Sequence, residues 1–243
     1  MKIQQLVQEK IDKLASGRLI TYKNIFRLYE DNPSAVAKGM ERLVRKGALV
    51  RQKPGVFYKP EQGRFGLLPV KETEILRRFM YENGRIIGYL SGPDAFRALG
   101  ISTQVPGTVT IATFKKRRRI RFNDFTIRFI QSRIKTIKKN DIPKLQLLDA
   151  LRQIKKAQDV DINDALDKIS RILTGYSAEQ KERVFLLGKK YNPQTKALLG
   201  AILQKTGRND LAMKLKKDLN PLTSYNIGVS THVLPNKGEW AIL

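Results

Sequence analysis

Apolar residues at Ile3, Leu6, Val7, Ile11 and Leu14 repeat at the spacing of one helical face, and Gly17 supplies a stop. Ile20 and Thr21 lead into a second, short helix carrying Ile25, Phe26 and Leu28, which Asp31-Asn32-Pro33 breaks. Asn32 suits the cap of a third helix and Pro33 its first position, where no N–H is needed. That helix, Ser34 to Lys46, buries Val36, Met40, Leu43 and Val44 and ends at Gly47. Ala48 to Arg51 and Val56 to Lys59 flank the turn Gln52-Lys53-Pro54-Gly55, which predicts a small β-hairpin. Three helices and then a hairpin form the pattern of a winged helix-turn-helix, whose third helix enters the major groove.

Gly63 to Pro69 reads as a linker. Helical spacing returns over 71–81, with Ile75, Leu76, Phe79 and Met80 inward. Arg85-Ile86-Ile87 is a short strand, Ser91-Gly92-Pro93 opens a helix that stops at Gly100, and Thr108 to Phe114 alternates as a strand. Residues 117–130 predict a hairpin closed by Asn123-Asp124, with Phe122 facing Phe125, Ile120 facing Ile127 and Arg118 facing Phe129. Helices follow at 142–156, 161–173, after the capping box Ser177/Gln180, from Asn192-Pro193 to Gly207, and over 209–219. The tail beyond Pro221 is loop-like. The pattern as a whole is an α+β, helix-rich chain in three parts: a winged helix-turn-helix over 1–62, a small mixed α/β region with a basic hairpin over 68–135, and a helical bundle with an extended tail over 136–243.

Charge then changes the picture. The 243 residues carry 47 Lys/Arg against 22 Asp/Glu, a formal net charge of +25. The excess is spread: 14 against 6 over residues 1–64, 14 against 5 over 65–135, and 19 against 11 over 136–243. A distributed excess points to a polyanion partner rather than to a basic tail on a neutral enzyme, with a solubility surplus as the plain alternative. No apolar run reaches the roughly 18 residues of a membrane span, and no amphipathic helix has a bulky apolar face for a bilayer surface. The absence of cysteine removes disulfides and thiolate metal sites, and Met1-Lys2-Ile3-Gln4-Gln5 lacks the apolar core of a signal peptide, so the expectation is a cytoplasmic protein.

With the inner face of the third helix assigned, its other face offers Ser34, Ala35, Lys38, Glu41, Arg42 and Arg45. Ser34, Ala35 and Lys38 are placed for base edges, and Arg42 and Arg45 for phosphates. Tyr22 and Lys23 at the second helix and Lys53 at the wing tip complete the candidate DNA surface. The alternative is a solvated basic face on a protein-interaction module. The 117–130 hairpin puts Arg117, Arg119, Arg121 and Arg128 on one face, with Arg119 opposite Arg128, a destabilising pair that an anionic partner would relieve. Phosphate or an acidic protein surface would serve, and so would simple protection of an edge strand.

Candidate chemistry is sparse. Asp161, Asp164 and Asp167 have a spacing a metal-dependent nuclease could use, but acids in the first turns of a helix also favour its dipole. His232, the single histidine, has no placed carboxylate partner. No phosphate-binding or dinucleotide glycine fingerprint is present. The expectation is therefore a protein with no catalytic residues, metal or cofactor.

Several stretches carry a family resemblance. Leu43-Val44-Arg45-Lys46-Gly47-Ala48-Leu49-Val50-Arg51 with Pro54-Gly55-Val56-Phe57-Tyr58, Ser91-Gly92-Pro93-Asp94-Ala95, Leu99-Gly100-Ile101-Ser102-Thr103-Gln104-Val105-Pro106, Asn192 to Leu203 and Leu219-Asn220-Pro221-Leu222 resemble the AbiEi-type antitoxins of type IV toxin–antitoxin systems and a related short bacterial family sharing their N-terminal domain. The Gly-Ile-Ser-Thr-Gln-Val-Pro stretch is the most specific. The resemblance implies an antitoxin that represses its own operon at inverted repeats in double-stranded DNA and neutralises a nucleotidyltransferase-fold toxin. The alternative is a dedicated repressor whose C-terminal domain dimerises or senses a ligand.

Overall fold

The computed structural model describes residues 3–22, 25, 32–122, 125–157 and 160–243. The chain divides into two compact units, Met1–Phe79 and Met80–Leu243. Both mix helices with small sheets, an α+β architecture.

Unit 1 contains α1 (Ile3–Asp12), β1 (Leu19–Thr21), α2 (Pro33–Arg45), β2 (Val50–Lys53) and β3 (Val56–Tyr58). The predicted second helix lies mostly outside the described residues; of it, Ile25 is buried. Val7 and Ile11 of α1, Ile20, Ile25, Val36, Met40 and Leu43 of α2, Leu49 and Phe57 share one core. Ile20 and Thr21 lead into the second helix, which the described residues show at Tyr22 and Ile25, and they themselves form a strand that pairs with β3, Leu19 opposite Tyr58, giving the sheet order β1-β3-β2. The β-branched Ile20 and Thr21 suit that pleat, and Ile20 reaches the core from it. Pro33 occupies the first turn of α2 as expected, but the Asn32 side chain makes no cap bond. At the other end Gly47, with φ +73, lets the Ala48 amide reach the Leu43 carbonyl at 3.0 Å, a Schellman stop. Pro54-Gly55 turns the hairpin, Gly55 at φ +72, and one extra residue in β2 bulges between Arg51 and Lys53. Lys59 Nζ donates to the carbonyls of Asp12 and Leu14 at 3.0 and 3.3 Å, a cation at the C-terminal end of α1.

The stretch read as a linker is instead a second hairpin, β4 (Glu61–Gly63) with β5 (Gly66–Leu68). A unit boundary at 62 would cut through it. α3 (Glu72–Met80) then buries Ile75, Leu76 and Phe79.

Unit 2 begins with β6 (Tyr81–Glu82) and β7 (Arg85–Ile86), joined by Asn83-Gly84 with φ 49 and 74, both positive as a type I′ turn requires. β8 (Gly88–Ser91), α4 (Pro93–Ala98), β9 (Thr108–Thr113), β10 (Ile120–Arg121) and β11 (Thr126–Gln131) follow. The sheet order is β10-β11-β9-β8, with β9 and β11 parallel and the other pairs antiparallel. Then come α5 (Ile142–Gln153), α6 (Ile162–Thr174), α7 (Ala178–Gly188), α8 (Pro193–Lys205) and α9 (Asn209–Lys216). Ser177 and Gln180 form the expected capping box at α7, whereas Asn192 makes no side-chain cap at α8.

A boundary near 135 has no counterpart. Tyr89, Phe96, Ala112, Ile134 and Ile137 pack in one core with Leu145, Leu148, Ile169, Leu199 and Leu215. Nor is the tail extended. Tyr225 bridges Ile242, the Leu243 carbonyl accepts from Ile227 and Gly228, and Trp240 is buried with its Nε1 donating to Gln204. A Cβ at Gly200 would stand 2.1 Å from the Trp240 ring, so α8 must present glycine there. Within this core Asp149, 1% exposed, accepts from Tyr89 Oη at 2.9 Å, Ser91 Oγ at 2.6 Å and Tyr191 Oη at 3.0 Å, and pairs with Arg152 at 3.1 Å.

Candidate nucleic-acid interface

The outward side of α2 follows from its inward side. Val36, Gly39, Met40 and Leu43 are buried. At about 100° per residue, Ser34, Lys38 and Arg45 point away from that stripe and lie within roughly 40° of one another. All three are exposed. Among the described residues no acidic side chain pairs with Lys38 or Arg45. The helix therefore offers a hydroxyl, an ammonium and a guanidinium in a row, each able to donate to a phosphate or a base edge.

The other two candidates on this helix sit elsewhere. Arg42 is turned about 60° from Arg45, toward α1. Its Nη1 donates to Gln4 Oε1 at 3.0 Å, so the guanidinium is partly committed. Ala35 is half-buried on the same flank. Between α1 and α2 a cleft of about 430 Å³ opens, lined by Gln4, Gln8, Glu9, Arg42 and Lys46 among others. On the opposite flank Glu41 pairs with Arg51, which also lies 5.5 Å over the Phe57 ring. That ion pair ties α2 to β2 and removes Arg51 from any list of available cations.

Tyr22 packs its ring edge-on against Phe57 at 5.3 Å, and a Cβ at Gly55 would stand 3.5 Å from it. It supports the turn of the β2–β3 hairpin as well as bordering the surface. Lys53 is half-buried at the end of β2, next to that turn. Lys23 lies outside the described residues.

In unit 2 the predicted register holds at Ile120 opposite Ile127, and Phe122 and Phe125 stack at 5.2 Å. The turn residues Asn123 and Asp124 lie outside the described residues. The pairing stops at Ile120, however, so Arg117, Arg118 and Arg119 precede the strand. Arg119 and Arg128 are therefore not a cross-strand pair, and the repulsion inferred from that pairing does not arise. Arg117 is half-buried, its guanidinium 5.8 Å over the Phe129 ring, on the side the register assigned to Arg118. Arg119, Arg121 and Arg128 are exposed.

The acids and the histidine have plainer places. Asp161 caps α6, accepting from the amides of Asn163 and Asp164 at 2.8 and 3.0 Å. Asp167 pairs with Arg171, and His232 is exposed. Among the described residues no group of three or more His, Asp or Glu side chains is gathered to hold a metal ion. Among them too, no helix is long and apolar enough to cross a membrane.

A family of unknown function, DUF6088, matches residues 6–184, about three quarters of the chain, including all of α2 and the hairpin around Arg119, Arg121 and Arg128. The chain belongs to that family. No curated protein sequence matches this DUF6088 chain. Among solved structures, the crystal structure of the RV2827C protein from Mycobacterium tuberculosis is similar at a TM-score of 0.50 and 13% sequence identity, over 90% of this chain and 82% of that one. At that identity the likeness concerns the fold alone. The DUF6088 match ends within α7, so α8, α9 and the buried tail lie beyond it.

Two features of unit 1 escaped the sequence reading. One is the cleft between α1 and α2, whose glutamines carry no distinctive signal. The other is the β4–β5 hairpin, where Gly63 and Gly66 around Arg64-Phe65 are the turn signature that could have found it.

Proposed function

We propose that unit 1 is a winged helix-turn-helix that binds duplex DNA through α2, and that this DUF6088 chain is a DNA-binding antitoxin in the cytoplasm. In this reading it represses its own operon at inverted repeats and neutralises a nucleotidyltransferase-fold toxin. The observation that carries the DNA-binding half is the row Ser34, Lys38 and Arg45, exposed opposite the buried stripe of α2. The hairpin that follows α2 supports it, and so does a net charge of +25. Ser34 and Lys38 near the start of the helix contact base edges, while Arg45 holds phosphate. Arg42 reaches phosphate by releasing Gln4. The antitoxin half is supported by the resemblance alone, above all by Gly100 to Pro106. The exposed Arg119, Arg121 and Arg128 are then a candidate surface for DNA or for the toxin.

Fluorescence anisotropy on DNA from upstream of the gene, against a scrambled duplex over a salt series, tests the first half. Preference for the upstream DNA near physiological salt is expected. Equal, steeply salt-dependent binding to both duplexes would contradict it. Co-expression with the product of the adjacent gene tests the second half: the chain should restore growth, and failure to do so would leave a dedicated repressor.

A further inference from the structure

The β4–β5 hairpin carries large apolar side chains in solvent: Phe65 is 99% exposed, Leu67 53% and Leu68 43%. Phe65 contributes no buried area to the unit, and with Leu67 and Leu68 it concentrates three exposed apolar side chains on one short hairpin, a grouping that marks an interaction site. The hairpin also supports the ring well. Glu61, Gln62 and Gly63 pair with Leu68, Leu67 and Gly66, which leaves Arg64-Phe65 as a two-residue turn. Gly66 has φ +119, a conformation that residues with a side chain avoid, so the turn is set by the backbone.

We propose that this hairpin is a wedge that inserts Phe65 between base steps of duplex DNA, with Arg64 against the adjacent phosphates. The proposal rests on the DNA-binding reading of unit 1 and adds a second contact to it. Two observations select the occupant. The first is area. One aromatic side chain offers about 150–250 Å², and the two leucines are only half exposed, so the tip falls short of the roughly 800 Å² per partner that a stable protein interface buries. A wedge that unstacks DNA needs only one or two apolar side chains. The second is charge. Unit 1 carries 17 Lys/Arg against 8 Asp/Glu, and Arg64 is the neighbour of Phe65 in the turn. A second copy would bring like charge to the tip, whereas a polyphosphate brings the opposite charge. Gly66 leaves open space beside Phe65 where a backbone can approach closely, whereas the Leu68 side chain fills that space at Gly63.

The test uses the full chain, its Phe65→Ala and Phe65→Trp variants, and an upstream-DNA duplex with donor and acceptor dyes at its ends. Wild-type protein should raise energy transfer by bending the duplex. Phe65→Ala should bind roughly tenfold more weakly and leave energy transfer at the level of DNA alone. Phe65→Trp should keep the bend, with its indole emission quenched on binding. Phe65→Ala should also keep the wild-type unfolding midpoint, because the ring is outside the core. The wedge is overturned if wild type binds and Phe65→Ala binds and bends alike. It is overturned in favour of self-association if Phe65→Ala lowers the sedimenting mass without touching DNA binding. Loss of binding to phosphatidylglycerol vesicles with unchanged DNA binding would overturn it in favour of a lipid surface. If wild type binds no duplex, the reading of unit 1 fails and the wedge fails with it, a different result from binding without a bend.

Discussion

Unit 1 displays its cations in solvent along α2, whereas unit 2 buries a carboxylate among three hydroxyls and an arginine. Lys38 and Arg45 are exposed and have no acidic partner among the described residues. Asp149 has four partners and almost no water. Burial first and the Asp149 charge second push the Tyr89 and Tyr191 phenols above their ordinary range, so both stay protonated and donate. The difference separates two jobs. A buried network is costly to break and fixes how β8, α5 and the α7–α8 corner meet. An exposed row costs little to change and is available to a ligand. Substitutions in the first should therefore act on stability, and those in the second on binding.

The largest effect should come from Asp149→Ala, which leaves three buried hydroxyls and Arg152 without their acceptor. A loss of about 3–5 kcal/mol is expected, read as a lower denaturant midpoint of Trp240 fluorescence, Trp240 being the single, buried tryptophan of unit 2. A loss below about 1 kcal/mol would place the network on a par with exposed pairs.

The second is smaller and depends on pH. Asp141 is buried and held by both Arg183 Nε at 2.7 Å and Arg183 Nη2 at 2.6 Å. The bond to Arg183, against some opposing burial, keeps the carboxyl below its usual range. A depressed folded pKa gives stability that is present above the unfolded value near about 3.9 and is lost as pH falls through the folded value. Arg183→Met should cost about 3 kcal/mol at neutral pH, at the low end for a buried pair because Arg183 is partly exposed. It should also remove that part of the acid dependence. Unfolding midpoints from pH 6 downward, wild type beside variant, measure both; parallel curves would show that the pair does not couple stability to pH.

Against these, Lys38→Ala should leave unfolding unchanged and weaken specific DNA binding by about 1–3 kcal/mol if it reads a base. Arg45→Ala is the mildest: a uniform loss over all sequences, with the salt slope reduced by about one. A stability change from either would erase the contrast between the units.

The sequence was most legible where period and punctuation agree. The α2 stripe and its Gly47 stop were found, as were the Ile120/Ile127 register and the capping box at Ser177. Short strands were harder, because three residues such as Leu19–Thr21 show no period of their own and acquire one only by pairing with β3. Asn83-Gly84 was an available hairpin signal that the helix before it obscured. Arg42 reads as part of the basic face until Gln4, 38 positions away, is brought beside it. The Asp149 network joins residues 58, 60 and 42 positions apart, a relation that no local pattern encodes. The tail looked loop-like because its order comes from Trp240 and Leu243 meeting α8 and Tyr225, not from any repeat.

The central claim is that the open face of α2 reads sequence in duplex DNA. Selection of binding sites from a random duplex library, run in parallel with the wild-type chain and Lys38→Ala, tests it most directly. The account predicts that wild type enriches one motif and that Lys38→Ala relaxes preference at one or two of its positions while retaining affinity for phosphate. The same motif at the same stringency from both proteins, or no motif from either, would contradict it.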